Sequence, residues 1–309
     1  MVLVRQWDPR VDCRAPGPRV GSFSAPLAVP ADGVDDHPGP NGPALTDRGA
    51  AVSVAITGAS SRAIIDRLLG RPRVAAAADQ PVVMMRDVGK VYPNGRAALR
   101  EVSLAIPEGD FVFLVGPSGA GKSTLMKLLI RDEKPTTGSV VVDGMDLSRL
   151  PRRKVPLMRR RIGTIFQDFK LLPTKNVREN VAFALEVTGT PRRQIRPAVD
   201  RVLSIVGLTG QAEQLPSQLS GGEQQRTAIA RALVHDPRLI IADEPTGNLD
   251  PLISWEIIQL LLRINELGVT VVMATHDSEV VTALRRRVVA LEEGQIVRDE
   301  IGGTYYRAD

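Results

Sequence analysis

The chain of 309 residues has one cysteine, Cys13, so it cannot close an internal disulfide, and no Cys/His cluster shows metal-ligand spacing. A structural zinc is therefore not expected, and a reducing compartment fits. Aromatic residues are scarce at 4%. No apolar run approaches the ~18 to 20 residues that a bilayer-spanning helix needs, and Met1–Asp8 lack a signal-type apolar region, so any membrane role is expected to run through a partner. The net charge of +5 is small. Its clusters, Arg152–Lys154, Arg159–Arg161 and Arg285–Arg287, read as solvated helix faces rather than a nucleic-acid surface.

Residues 1–80 hold 17 of the 50 Gly plus Pro residues, against 33 in the following 229. With few aromatics, this stretch cannot bury enough apolar area to offset the entropy of ordering it, and it reads as a mostly disordered extension. Within it, Ser60–Leu69 has helical spacing of Ile64, Ile65, Leu68 and Leu69, read as either a transient helix or a docking peptide. Met84 and Met85 stand where the ordered domain begins and raise an alternative start of translation.

From residue 81 the pattern is α/β. The run Phe111–Val115 reads as a buried strand, Gly116–Thr124 as a glycine-rich loop, and Lys122–Arg131 as a helix. Gly116, Gly121, Lys122 and Ser123 meet the spacing of a phosphate-binding loop, whose backbone amides wrap phosphates at a positive helix end. Pro117, Ser118, Gly119, Ala120 and Thr124 complete the cradle. Lys122 would reach the β- and γ-phosphates and Ser123 would ligate magnesium. Two strands precede the loop. Further strands are expected at 138–143, Ile162–Phe166, Leu239–Ala242 and Val269–Ala274, with helices at Arg152–Arg161 (interrupted by Pro156), Val177–Val187, Arg192–Val206, Glu223–Val234 and Leu252–Leu267, and a closing hairpin at Glu293-Gly294. Alternating strands and helices imply a largely parallel sheet covered on both faces.

The apolar strand Leu239–Ala242 runs into Asp243 and Glu244. Two acids after a strand also serve as helix caps; beside a phosphate loop, Asp243 is placed for magnesium and Glu244 for the attacking water. Leu219-Ser220-Gly221-Gly222-Glu223 opens a second helix with a glycine turn, another anion-binding start.

With these motifs in order, Val82 to about Arg298 resembles the ATP-binding cassette (ABC) ATPases. The resemblance implies a P-loop NTPase fold of ABC type: a mixed sheet core, an N-terminal antiparallel β region and a helical insertion subdomain at about 172–236. It makes Tyr92 the base-stacking aromatic, Gln167 a glutamine near the metal and γ-phosphate, Asp250 the aspartate of the loop after the acids, and His276 the switch histidine. Ser220, Gly221, Gly222 and Glu223 form the signature that closes on ATP held by a second copy, with Glu in its fifth place where Gln is usual. A homodimer using ATP and Mg2+ follows, with Ser123, Gln167 and Asp243 at the metal. Within the family, the runs Asp243–Asp250 and Leu219–Arg226 resemble the branch of lipoprotein-release, macrolide-export and cell-division ATPases, and the runs Lys154–Arg160, Ile162–Leu172 and Met273–Asp277 resemble its cell-division members. That implies an ATPase peripheral to the membrane, held at its cytoplasmic face by an integral membrane partner docking near Phe169, Leu171 and Leu172. An exporter ATPase and a nucleotide-gated scaffold with incidental hydrolysis are the alternatives. The extension before residue 81 departs from the family pattern.

Overall fold

The computed structural model describes residues 81–306; the extension, the Ser60–Leu69 segment and Cys13 lie outside the described residues. Its organising element is β3 (Phe111–Val115), five apolar residues that are all buried. Such a run has no solvent face, and it lies inside a six-stranded sheet of order β10-β9-β3-β8-β7-β6. The partners are β6 (Ile162–Phe166), β7 (Leu239–Asp243), β8 (Thr270–Ala274), β9 (Arg287–Glu292) and β10 (Gln295–Glu300). Five strands are parallel, and β10 closes one edge antiparallel to β9.

Side chains alternate across β3, and this divides the interior. Phe111, Phe113 and Val115 enter one core, shared with α3 (Val177–Glu186), α4 (Arg192–Val206), α5 (Gly221–Leu233) and α6 (Pro251–Glu266). Val112 and Leu114 enter the other, with α1 (Lys122–Leu129) and a four-stranded antiparallel sheet of order β2-β1-β4-β5. That sheet comprises β1 (Val83–Val91), β2 (Ala97–Ile106), β4 (Thr137–Val142) and β5 (Met145–Asp146). A mixed sheet core with an added antiparallel region is the architecture that the sequence resemblance implies.

One strand and one α-helix escaped the sequence reading: the two-residue β5 and the short α7 (Ser278–Leu284), which starts on the Asp277 carboxylate. A third differs in detail. Pro156 does not interrupt a helix; it sits in the first turn of α2 (Val155–Arg159), where its missing N–H has no intrahelical partner to lose. A short 3₁₀ turn, Arg152–Lys154, precedes it.

At the end of the sheet away from the phosphate loop, Arg238 joins the pieces. It donates to Asp143 after β4 and to Glu108 before β3, both at 2.6 Å, and Arg161 donates to the second oxygen of Asp143 at 2.8 Å. One carboxylate with two guanidiniums thus ties the antiparallel sheet to the starts of β6 and β7.

Candidate active site

Register puts the site together. Leu114 of β3 and Asp243 of β7 both pair with Ala274 of β8, and Phe166 of β6 pairs with Asp243. Everything that follows these four strands therefore emerges at one edge, where parallel sheets bind ligands. The phosphate loop follows β3, Gln167 follows β6, Glu244 follows β7 and His276 follows β8.

The loop needs its glycines for two different reasons. Gly116 has φ 139° and Gly121 φ 111°, in the left-handed region. A Cβ on Gly116 would lie 2.1 Å from the Leu291 carbonyl oxygen of β9, and one on Gly121 would lie 2.7 Å from that of Ala98. Backbone of neighbouring strands thus presses on both ends of the loop, while Pro117, Ser118 and Gly119 between them are exposed. Ala120 accepts from the Gly294 amide of the β9–β10 hairpin at 3.0 Å. The Lys122 ammonium folds over the loop and donates to the carbonyls of Gly116 (2.7 Å) and Pro117 (3.1 Å), so it spans the cradle itself. Thr124 shares a 3.3 Å hydroxyl contact with Tyr92, which ties that ring to the start of α1. The Lys90 ammonium lies 4.9 Å from the Tyr92 ring centroid and so covers one face of the ring.

Beside the loop, a cleft of about 440 Å³ is lined by Ser123, Phe166, Gln167, Asp168, Lys170, Asp243, Glu244 and Asn248. The four residues read from sequence as metal or water ligands, Ser123, Gln167, Asp243 and Glu244, thus share one wall system. Glu244 sits at φ 47°, a strained conformation for a non-glycine residue, held by its own N–H to the Ala274 carbonyl at 3.1 Å. His276 places Nδ1 3.4 Å from a Glu244 carboxylate oxygen. Sequence reasoning missed Asn248 and Lys170 as cleft residues. Asn248 locks Gln167 by a reciprocal pair, donating to its carbonyl at 3.0 Å and accepting from its side-chain amide at 3.3 Å. A hard-oxygen set with a half-buried carboxylate, a hydroxyl and an amide fits magnesium.

Burial, then the neighbouring Glu244, push the Asp243 carboxyl above the usual carboxylate range; Lys122, Lys127 and Lys170 pull it back. Because the folded-state pKa is raised, this group's stabilising contribution is complete below the ordinary pKa of ~3.9 and is lost as pH rises through the folded value. Asp243→Asn should therefore raise the melting temperature of the nucleotide-free protein at pH 7 to 8, with the gain shrinking on acidification, while magnesium-dependent hydrolysis disappears. Thermal melts from pH 5 to 8 check this, and a pH-independent difference would contradict it.

Ser220–Glu223 lies elsewhere, in a hollow of about 320 Å³ that shares no lining residue with the cleft. Ser220 caps α5: its hydroxyl oxygen accepts from the Glu223 amide at 3.3 Å, and the Glu223 carboxylate accepts from the Ser220 amide and hydroxyl, both at 2.8 Å. These bonds hold the Glu223 carboxyl below its usual range. Glu223 thus closes the capping box at the start of α5. A Cβ on Gly222 would meet Ile253 at 2.6 Å, so α5 and α6 touch where this glycine stands.

A phosphate loop, a strand-end pair of acids and a glutamine and histidine from neighbouring strands, gathered on one sheet edge, define an ABC-type ATP hydrolase. Residues 99–247 match the family model described as ABC transporter. The chain is 54% identical over 224 residues to the cell division ATP-binding protein FtsE of Streptococcus pneumoniae serotype 2, covering 72% of this chain and 97% of that protein. It is 52% identical to FtsE of Mycobacterium tuberculosis (72% and 98%) and 45% identical to FtsE of Escherichia coli K12 (70% and 97%). Among solved structures it resembles the ATP-binding cassette MJ0796, seen as a post-hydrolysis dimer bound to ADP and Pi, with TM-score 0.63, 38% identity and coverage of 72% and 99%. The chain belongs to the FtsE family of cell-division ATP-binding proteins.

Proposed function

We propose that the chain is the ATP-hydrolysing subunit of an FtsE–FtsX-like complex, coupling ATP turnover to regulation of cell-wall hydrolysis during cell division. The observation that carries the chemistry is the single cleft in which Ser123, Gln167, Asp243 and Glu244 meet beside the phosphate loop. The cell-division assignment is supported by identities near half over almost the full length of FtsE relatives. Those relatives do not favour a lipoprotein-release or macrolide exporter, nor a scaffold.

In this reading two copies sandwich two ATP molecules. The phosphate loop from Gly116 to Thr124 binds the phosphates, Lys122 shifts from its own loop carbonyls to the β- and γ-phosphates, and Tyr92 stacks on the base. Ser123, Gln167 and Asp243 would hold Mg2+, which would supply charge neutralisation to the phosphates. Glu244 orients and deprotonates the attacking water, His276 beside it steadies the γ-phosphate, and the partner's signature turn, Ser220 to Gly222, completes the site. MJ0796 is similar to this chain and is a dimer.

Among the described residues no helix is long and apolar enough to cross a membrane. Attachment to the cytoplasmic face through an FtsX-like membrane protein is accordingly assigned to the segment after Gln167, whose Phe169, Leu171 and Leu172 are partly exposed. We further assign residues 81–309 to the ABC domain, with its helical subdomain at about 172–236. Leu171→Glu should abolish co-purification of the membrane partner in a pull-down while leaving intrinsic ATPase activity at the parent level. Retained binding would overturn the docking assignment.

A further inference from the structure

The short segment after Gln167 is held more firmly than a docking loop requires. Phe169 and Lys170 are consecutive non-glycine residues in the left-handed region, with φ 54° and 49°. Such a pair is costly and persists only where the surrounding structure over-determines it. Arg231, near the C-terminal end of α5, supplies that hold: one guanidinium donates to the Lys170 carbonyl at 2.6 Å and to the Phe169 carbonyl at 2.8 Å. Burial works against its charge, so the charge is kept there at a cost. Just downstream, the buried Asn180 accepts from the Leu172 amide at 2.8 Å and donates to the Leu172 and Lys175 carbonyls. Both ends of the turn are thereby pinned from helices α5 and α3.

What this clamped turn presents is the side chain of Lys170. Its ammonium lies 3.8 Å from the centroid of the Phe166 ring, at the end of β6, and the residue lines the same cleft as Ser123, Asp243 and Glu244. It does so beside the two acids of the site. A cation over an aromatic face, drawn also toward the Asp243 carboxylate, keeps its N–H donors available to an anion.

We propose that Lys170 is a second lysine of the nucleotide site, donating to the terminal phosphate of ATP, and that Arg231 is its positioning residue. The proposal rests on the ATP-site reading above. On nucleotide binding the ammonium exchanges the Phe166 ring for a phosphate oxygen, a charge-assisted bond that ADP cannot offer at the same place. Because Arg231 is part of the helix that opens with Ser220, the lysine that senses the γ-phosphate and the signature turn are carried by one connected unit.

The test is binding of a non-hydrolysable ATP analogue and of ADP, both with magnesium, to full-length variants. Lys170→Met should weaken the ATP analogue by about tenfold and leave ADP within about twofold, the loss expected for one charge-assisted bond. Lys170→Arg should restore most of the preference. Arg231→Met should lower the ATP-to-ADP preference in the same direction with Lys170 intact. Unchanged ATP affinity in Lys170→Met, or equal losses for both nucleotides, would overturn the proposal, and the Lys170 pair decides even where Arg231→Met fails to fold. Lys122→Ala separates the underlying reading: it should lose both nucleotides, and if it binds both as the parent does, the ATP site itself is misassigned.

Discussion

Glu244→Gln is expected to bind ATP as the parent does and to hydrolyse it about 10²- to 10⁴-fold more slowly, the range for removing a positioned general base. The substitution is nearly isosteric. The Glu244 amide bond to Ala274 that supports its left-handed backbone is a main-chain contact and survives the change. The neighbouring histidine also keeps an acceptor, since His276 Nδ1 lies 3.4 Å from an oxygen that the amide can still provide. What disappears is the negative charge that, in the proposed mechanism, takes the proton of water. The same charge is the second cause holding Asp243 above the usual carboxylate range. Its removal makes Asp243 easier to ionise, so magnesium-dependent ATP binding should be unimpaired or tighter. Size-exclusion chromatography with ATP should then show an accumulated dimer, because closure no longer ends in hydrolysis. Steady-state phosphate release at the parent rate would rule the assigned role out.

Gly116→Ala should have the largest effect on the fold and remove ATP binding with it. The methyl group would arrive 2.1 Å from the Leu291 carbonyl oxygen and 3.3 Å from the Ala120 Cβ, at a φ of 139° that alanine rarely adopts. The carbonyl belongs to β9, which pairs with β3 immediately beside the loop, so it cannot turn away without breaking the sheet. Steric overlap and backbone strain together are expected to cost about 2 to 5 kcal/mol. That corresponds to a fall in melting temperature of roughly 5 to 15 °C for a domain of this size. Gly119 is the control. Its φ of 81° carries strain, but a Cβ there meets only the end of the Arg96 side chain at 3.4 Å, so Gly119→Ala should be milder in stability. Equal melting of the parent and Gly116→Ala would discredit the close approach.

Much of this architecture is legible along the chain because it is local. The strands Phe111–Val115 and Ile162–Phe166 and the helix Arg192–Val206 fall at the residues their apolar runs and boundaries indicate. The phosphate loop is legible for the same reason, since its glycines, lysine and serine sit within nine residues. What sequence hides is whatever depends on partners far along the chain. Asn248 and Gln167 are 81 positions apart and exchange two hydrogen bonds; Arg231 reaches carbonyls 61 and 62 positions earlier. No spacing rule announces such pairs. Pro156 misled for another reason, because a proline disrupts a helix interior and favours a first turn, and only the fold says where the turn begins. Glu223 shows a related ambiguity: a signature glutamate beside a serine is also the third residue of a capping box.

The alternation of β3 between two cores also bears on how firmly the phosphate loop is indexed to the molecule. Phe113 fills one side and Leu114 the other, each fully enclosed by different layers. Sliding the strand by one position would send every side chain to the opposite face and unfill both interiors at once. The strand therefore works as a ratchet stop. Displacement of the nucleotide loop along the sheet axis is thereby opposed from both sides, whereas α3 and α4 touch only one of the two interiors and are freer to shift.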